Sequence, residues 1–188
     1  MGLWDLLPRR GGSVAEGTTL GPVPVECRVR PDEVAAPVSG SVMALEDTAD
    51  PVFSQGMMGP GAAIRPEGGV VYAPCAGAVF ATVSTGHAVD VLRDDGLEVL
   101  VHVGVDTVDL RGAGFTCLAR KGDRVECGQP LIAFDREGVE ARGLDDTVMV
   151  ACPNLPAGKT QVVCGERAVV GEALLRVVTG EGTSERGE

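Results

Sequence analysis

The sequence predicts an all-β protein, an antiparallel β-sandwich or barrel built from many short strands. Three observations carry this reading. Short runs rich in Val, Ala, Leu and Ile recur along the chain between turn signals. Gly and Pro are abundant, 27 and 12 of 188 residues, and they separate those runs instead of gathering into a linker. No long stretch sustains the period that an extended helix would need. Aromatic residues are only 3% of the chain, so Val, Ala, Leu and Met must build the core.

Residues 1–30 read as a leader, 31–178 as one domain and Thr179–Glu188 as a charged tail expected to be disordered. The strand-like runs come in order. Glu33–Val38 leads into Ser39-Gly40, and Ser41–Leu45 precedes the acidic pair Glu46-Asp47. Ala62–Ile64 ends at Pro66-Glu67-Gly68-Gly69, and Val70–Ala73 follows. Ala78–Val83 precedes Thr85-Gly86, and His87–Leu92 and Leu97–Val103 flank Arg93-Asp94-Asp95-Gly96. Arg124–Val125, Leu131–Phe134, Gln161–Val163 and Leu174–Val178 complete the series, with single helical turns expected near Thr116–Arg120 and Gly138–Gly143. Ala36-Pro37-Val38-Ser39-Gly40 echoes Ala73-Pro74-Cys75-Ala76-Gly77, as a sheet made by duplication would.

The net charge of −11 repels a polyanion and argues against nucleic acid as a partner. The six cysteines include no Cys-x-x-Cys pair and follow no secretion signal, so reduced, mostly buried thiols are expected. Leu3, Trp4 and Leu7 can share one face of a short helical turn ending before Pro8. That segment, with Arg9 and Arg10, is either a free tail or a weak contact with the membrane surface.

The chain holds two histidines, His87 and His102. A four-residue loop Arg93–Gly96 sets His87 directly opposite His102. A two-residue turn at Asp95-Gly96 sets His102 opposite Val89, with His87 one diagonal away. Both registers place the imidazoles on one face. Two such rings suit phosphoryl transfer, in which one is the nucleophile and the other a hydrogen-bond donor. They also suit a metal with a carboxylate as third ligand, or a stacked surface pair without a role.

Leu100-Val101-His102-Val103-Gly104-Val105-Asp106-Thr107-Val108-Asp109-Leu110, followed by Gly112 and Gly114-Phe115, resembles the signature of the glucose-type enzyme IIA domain of the bacterial sugar phosphotransferase system. Ala36–Gly40, Asp50-Pro51-Val52-Phe53, Gly59–Ile64, Thr85-Gly86-His87, Gly122–Val125 and Phe134-Asp135 match in order and spacing, over roughly residues 33–178. Met1-Gly2-Leu3-Trp4-Asp5 also looks like the start of free-standing members.

The resemblance implies an antiparallel sandwich of the duplicated-hybrid-motif type and a cytoplasmic phosphotransferase component, at most lying at the inner face of the membrane. It implies that His102 takes a phosphoryl group from the phosphocarrier HPr and passes it to a IIB domain of a sugar permease. His87 matches the residue that steadies that group, Thr85 the hydroxyl that orients His87, and Asp50 and Asp106 carboxylates at the rim. Val52, Phe53, Met57, Met58, Leu100, Val103 and Val108 are expected to form an apolar collar for several partners, regulated enzymes or transporters among them. No cofactor is required; in some members the two histidines share zinc with a partner's glutamate. Familiar members carry aromatics where this chain has Val83, Val89, Leu100 and Val103, which makes the collar smaller and softer here.

Three rivals fit less well, one of them a regulatory or binding protein that keeps the fold without carrying phosphate, against which His87, His102 and Thr85 argue together. Lysostaphin-type zinc peptidases share the sheet architecture, but only two histidines exist here for their several histidine roles. A biotin or lipoyl carrier needs a lysine at a hairpin tip, and neither Lys121 nor Lys159 sits in such a hairpin.

Overall fold

The computed structural model describes residues 21–178, in which fourteen strands and two short α-helices alternate with turns. The first half holds β1 (Glu33–Ala35), β2 (Gly40–Met43), α1 (Pro51–Ser54), β3 (Gly61–Pro66), β4 (Val70–Tyr72), β5 (Gly77–Thr82), β6 (Ala88–Leu92) and β7 (Glu98–Val103). The second holds β8 (Phe115–Cys117), β9 (Arg124–Val125), β10 (Pro130–Phe134), α2 (Arg136–Glu140), β11 (Val148–Ala151), β12 (Thr160–Val162), β13 (Arg167–Ala168) and β14 (Ala173–Val177). Pairing between these strands is antiparallel throughout.

One large sheet runs β13-β2-β3-β11-β7-β6-β5-β9, and two small sheets run β1-β14-β12 and β4-β10-β8. The core lies between them. Alternation turns Ile64, Val91, Val99, Val101, Val148 and Val150 of the large sheet inward. There they join Val34, Leu174, Leu175, Val71, Leu131 and Ile132 of the small sheets in one buried cluster. The opposite alternation puts Ala63, Leu100, Met149, Ala151 and Ala88 on the outer face, where Leu45 and Phe53 cover them in a second cluster. The functional side chains gather at that second cluster.

The duplication suggested by the Ala-Pro echoes has a physical counterpart. The Pro37 carbonyl accepts from the Tyr72 N–H at 2.9 Å, and the Pro74 carbonyl from the Ala35 N–H at 2.8 Å. Each proline lacks a donor but supplies an acceptor at the mirrored place. Gly61 opens β3 opposite Ala151, and a Cβ there would run into the Val150 carbonyl oxygen. Gly61→Ala is therefore expected to lower unfolding stability by ~1–3 kcal/mol, read by urea titration, because backbone has nowhere to yield in the sheet centre.

Several expectations need correction. Thr116–Arg120 is not a helical turn: β8 occupies Phe115–Cys117, since pairing with β10 and packing of Phe115 and Cys117 on the core outweigh local preference. The turn expected near Gly138–Gly143 corresponds to α2, whose cap Asp135 accepts from the Gly138 N–H at 3.0 Å. Not all thiols are free, because Cys27 and Cys127 form a disulfide with Cα atoms 6.0 Å apart. Cys75 and Cys152 are buried, and Cys117 and Cys164 half-buried. Part of the expected leader also lies against the domain: Val25 donates to the Gly128 carbonyl and Arg28 to that of Gly171. The expectations for Leu3, Trp4, Leu7, Arg9 and Arg10, and for the tail Thr179–Glu188, lie outside the described residues.

Candidate functional site

The β6–β7 hairpin decides where the histidines meet. Its loop is closed by Arg93 N–H donating to the Leu97 carbonyl at 2.9 Å, and Gly96 N–H to that of Arg93 at 2.9 Å. Gly96 has φ +89°, the left-handed residue that completes a three-residue loop. The register this sets pairs His102 with Ala88, midway between the two expected registers, and corrects both. His87 falls one residue before β6, where strand alternation no longer assigns a face. Its carbonyl accepts from Val103 N–H at 2.8 Å, and a turn from Val83 to Gly86 brings the chain there. From this position the His87 ring still reaches His102: the centroids are 4.7 Å apart and the planes nearly perpendicular, at 79°.

His102 stands in a row across the sheet with Ala63, Met149 and Ala88. Asp50 caps α1 by accepting from Val52 N–H at 2.8 Å. That cap aims Phe53 at the site, and its ring lies 5.2 Å from the His102 ring. The Nδ1 of His102 is fully buried without a hydrogen-bond partner of good geometry. Burial, and secondarily the neighbouring His87, push the imidazole down to about 4, while Asp50 and the Gly104 backbone oppose this. His102 is thus neutral at pH 7. His87 is 6% exposed, and burial lowers its affinity for a proton as well. Thr85 Oγ1 lies 2.7 Å from His87 Nδ1. Beyond His87 come Phe115, at 6.2 Å between centroids, and Phe134 stacked on it at 6.0 Å.

The loop after His102 is pinned rather than free. Gly104 N–H donates to the Thr147 carbonyl, Val105 N–H to that of Asp145, and the buried Thr107 hydroxyl to that of Val103 at 2.7 Å. Exposed Asp106, with φ +56°, and Val108 follow on this loop.

The expected collar divides. Val52, Met57 and Val108 are exposed by 41, 62 and 54%, and Met58 is half-buried. Leu100 shares the His102 face but is buried. Phe53 is buried beneath the site instead of rimming it. Val103 is excluded from the collar, as is Val89: each alternates inward and belongs to the main core. Met149 and Phe115 are the site neighbours that sequence reasoning did not assign. Met149 sits on a strand with no alternating pattern, and Phe115 was legible only as part of the signature.

A family model for the phosphoenolpyruvate-dependent sugar phosphotransferase system, EIIA 1, matches residues 32–157. The chain belongs to this family. This EIIA is 35% identical over 144 residues to the glucose-specific EIIA component of Oceanobacillus iheyensis, covering 73% of this chain and 87% of that one. It is 43% identical over 121 residues to the beta-glucoside-specific EIIBCA component of Bacillus subtilis, covering 64% of this chain and 20% of that one. The chain therefore spans about a fifth of the length of such EIIBCA relatives. Among solved structures, the glucose permease IIA from Mycoplasma capricolum superposes with a TM-score of 0.70 at 28% identity, over 76% of this chain and 93% of that one. The fold is the EIIA β-sandwich, and the chain is a phosphotransferase-system component. Among the described residues no helix is long and apolar enough to cross a membrane.

Proposed function

We propose that this EIIA is a cytoplasmic phosphocarrier that accepts a phosphoryl group from phospho-HPr on Nε2 of His102 and passes it to a IIB domain. The observation that carries the reading is the inequality of nitrogens in the 4.7 Å His87–His102 pair. Nδ1 of His102 is shut inside the protein, which leaves Nε2 as the reacting atom. Its lone pair is free at neutral pH, because burial keeps the ring unprotonated.

In acceptance, the Nε2–P bond forms as the bond from phosphorus to its HPr carrier breaks, and in donation the N–P bond breaks towards the IIB acceptor. If the Thr85 hydroxyl donates to His87 Nδ1, the neutral His87 carries its proton on Nε2 and presents it to the phosphoryl oxygens. Val52, Met57, Val108 and Asp106 supply an exposed, partly apolar rim for alternating partners. Asp50 adds a negative charge that resists partner anions while slightly favouring protonated His102.

The EIIBCA names of several relatives support IIB and IIC domains as the onward partners, and those relatives are named for β-glucoside, mannose or glucose. The transfer itself calls for no cofactor. Two imidazoles fit half of a tetrahedral zinc site, and among the described residues no third His, Cys, Asp or Glu completes it. Zinc would therefore be shared with a carboxylate brought by a regulated partner.

Incubation with phosphoenolpyruvate, enzyme I and HPr tests the reading. The expected result is one base-stable, acid-labile phosphoryl group that fragment mass spectrometry maps to His102. No adduct, with HPr itself phosphorylated in the same tube, would discard it.

A further inference from the structure

The Cys27–Cys127 bond joins residues 100 apart in sequence and lies away from the histidines. Val125, just before Cys127, pairs with Gly77 at the start of β5, whereas the turn to His87 leaves the end of β5. At strand spacing those ends are roughly 17 Å apart. The bonded segment crosses two equivalent turns of the duplicated fold. Gly128 binds the strand pair through Ala73, and Gly171 does the same through Ala36. Val25 N–H donates to the Gly128 carbonyl at 2.9 Å, and Arg28 N–H to the Gly171 carbonyl at 2.7 Å. Both glycines have φ +82°, and a Cβ on either would strike the carbonyl of Val25 or Glu26. The segment therefore lies in close backbone contact with two turns that only glycine can form here.

Apolar burial does not hold this segment: Glu26 and Arg28 are exposed, their ion pair is fully in solvent, and Val25 is only half-buried. Two backbone hydrogen bonds, the β-bridge of Arg28 to Glu172 and one covalent bond do. Both sulfur-bearing residues are half-buried, so a small reagent can approach them. The remaining thiols are poor competitors. Burial pushes Cys75 and Cys152 up to about 12, which leaves almost no thiolate, and raises Cys164 as well, while Cys117 donates to the Ala119 carbonyl.

We propose that Cys27 and Cys127 form a redox modification site that fastens residues 25–28 across the Gly128 and Gly171 turns, opened by dithiols and closed by low-molecular-weight disulfides. In opening, a dithiol's thiolate attacks one sulfur of the bond and displaces the other. The second thiol of the reagent then resolves the mixed disulfide. Two electrons and two protons pass to Cys27 and Cys127, and the reagent leaves as its cyclic disulfide. Glutathione disulfide runs the exchange in reverse and leaves as two thiols. The opened form leaves residues 25–28 on their backbone contacts alone, while the histidine pair stays as it is. The site does not depend on the phosphocarrier reading.

Full-length protein equilibrated with glutathione disulfide, then unfolded in the presence of a maleimide, should label at four thiols, and at six after dithiothreitol. Peptide mapping should recover Cys27 linked to Cys127. Six labelled thiols in the oxidised sample, or a different linked pair, would overturn the proposal. Trypsin cleavage after Arg28 gives an independent readout. The rate should rise by about tenfold or more on reduction, as expected when a local opening loses its covalent restraint. Cys27→Ser should cleave at the reduced rate with or without dithiothreitol. Equal rates for oxidised and reduced wild type would also overturn it. Phosphorylation by HPr should be the same in both redox states, which separates failure here from failure of the site.

Discussion

His102→Ala is expected to abolish the phosphoryl adduct, with acceptance from phospho-HPr falling by at least about 10³-fold, while His87→Gln should still accept. The two rings touch, yet their surroundings assign different work. His102 has a buried Nδ1, so one nitrogen alone can attack phosphorus. The other neutral imidazole, His87, has its Nε2 lone pair taken up by a proton when Thr85 donates to Nδ1, so alanine at 102 is expected to leave no free nucleophile. His87 is held through Nδ1 by Thr85, and with the hydroxyl as donor its Nε2 would carry the proton and could donate to a phosphoryl oxygen. A donor aimed at charge that develops in the transition state is typically worth about 10²–10³ in rate. Glutamine can occupy the volume and hydrogen-bond the bound group, but it cannot share the positioning that Thr85 gives the imidazole. Onward transfer to IIB should therefore slow by about that factor in His87→Gln, with the adduct accumulating. Quench-flow with labelled phosphoenolpyruvate reads both steps. An adduct retained in His102→Ala would move the acceptor elsewhere, and equal onward rates would remove His87 from the chemistry.

The sequence made the fold class, most strands and the pairing of histidines with Thr85 legible, and the gaps have physical causes. Alternation and turn residues mark strands that are buried on one face. β11 is buried on both, so its Val148-Met149-Val150-Ala151 run carries no period, although it is the strand that supports His102. The hairpin register depended on where a left-handed residue falls within Asp94-Asp95-Gly96, and a shift of one residue is invisible to composition. The collar failed at Val103 and Phe53 for a related reason. Being next to a functional residue in sequence puts a strand neighbour on the opposite face, and α1 turns Phe53 inward beneath the ring. The bond between Cys27 and Cys127 joins sites 100 residues apart, which no local pattern reports.

Acid should destabilise this protein through His102, and neutral pH should cost it stability through Asp90. His102 keeps its proton only below about 4 when folded, but near 6.5 when unfolded. The unfolded chain therefore binds more protons between those values. The contribution is full above 6.5 and lost as pH falls towards 4, by ~3 kcal/mol in total. His87, also lowered by burial, acts in the same direction. Asp90 is the opposite case. It lies on β6 opposite Leu100, with Oδ1 buried and unpartnered, and burial first, then Glu98, raise it to about 6. Here the folded chain holds the proton longer. Stability is full below 3.8, and a penalty accrues until pH passes about 6. Half-exposure lets solvent screen that penalty to ~1–2 kcal/mol. Asp90→Asn, which cannot ionise, should therefore gain ~1–2 kcal/mol over wild type at pH 7.5 and little at pH 4. His102→Gln should lose ~2–3 kcal/mol less than wild type on going from pH 7.5 to 4.5. Urea titrations at the three pH values measure both. A wild-type-like pH profile in His102→Gln would show that the ring is not the buried neutral base on which the nucleophile argument rests. The opposite signs also separate the two groups cleanly, because no general acid effect on the other carboxylates can improve one variant at neutral pH and the other at low pH.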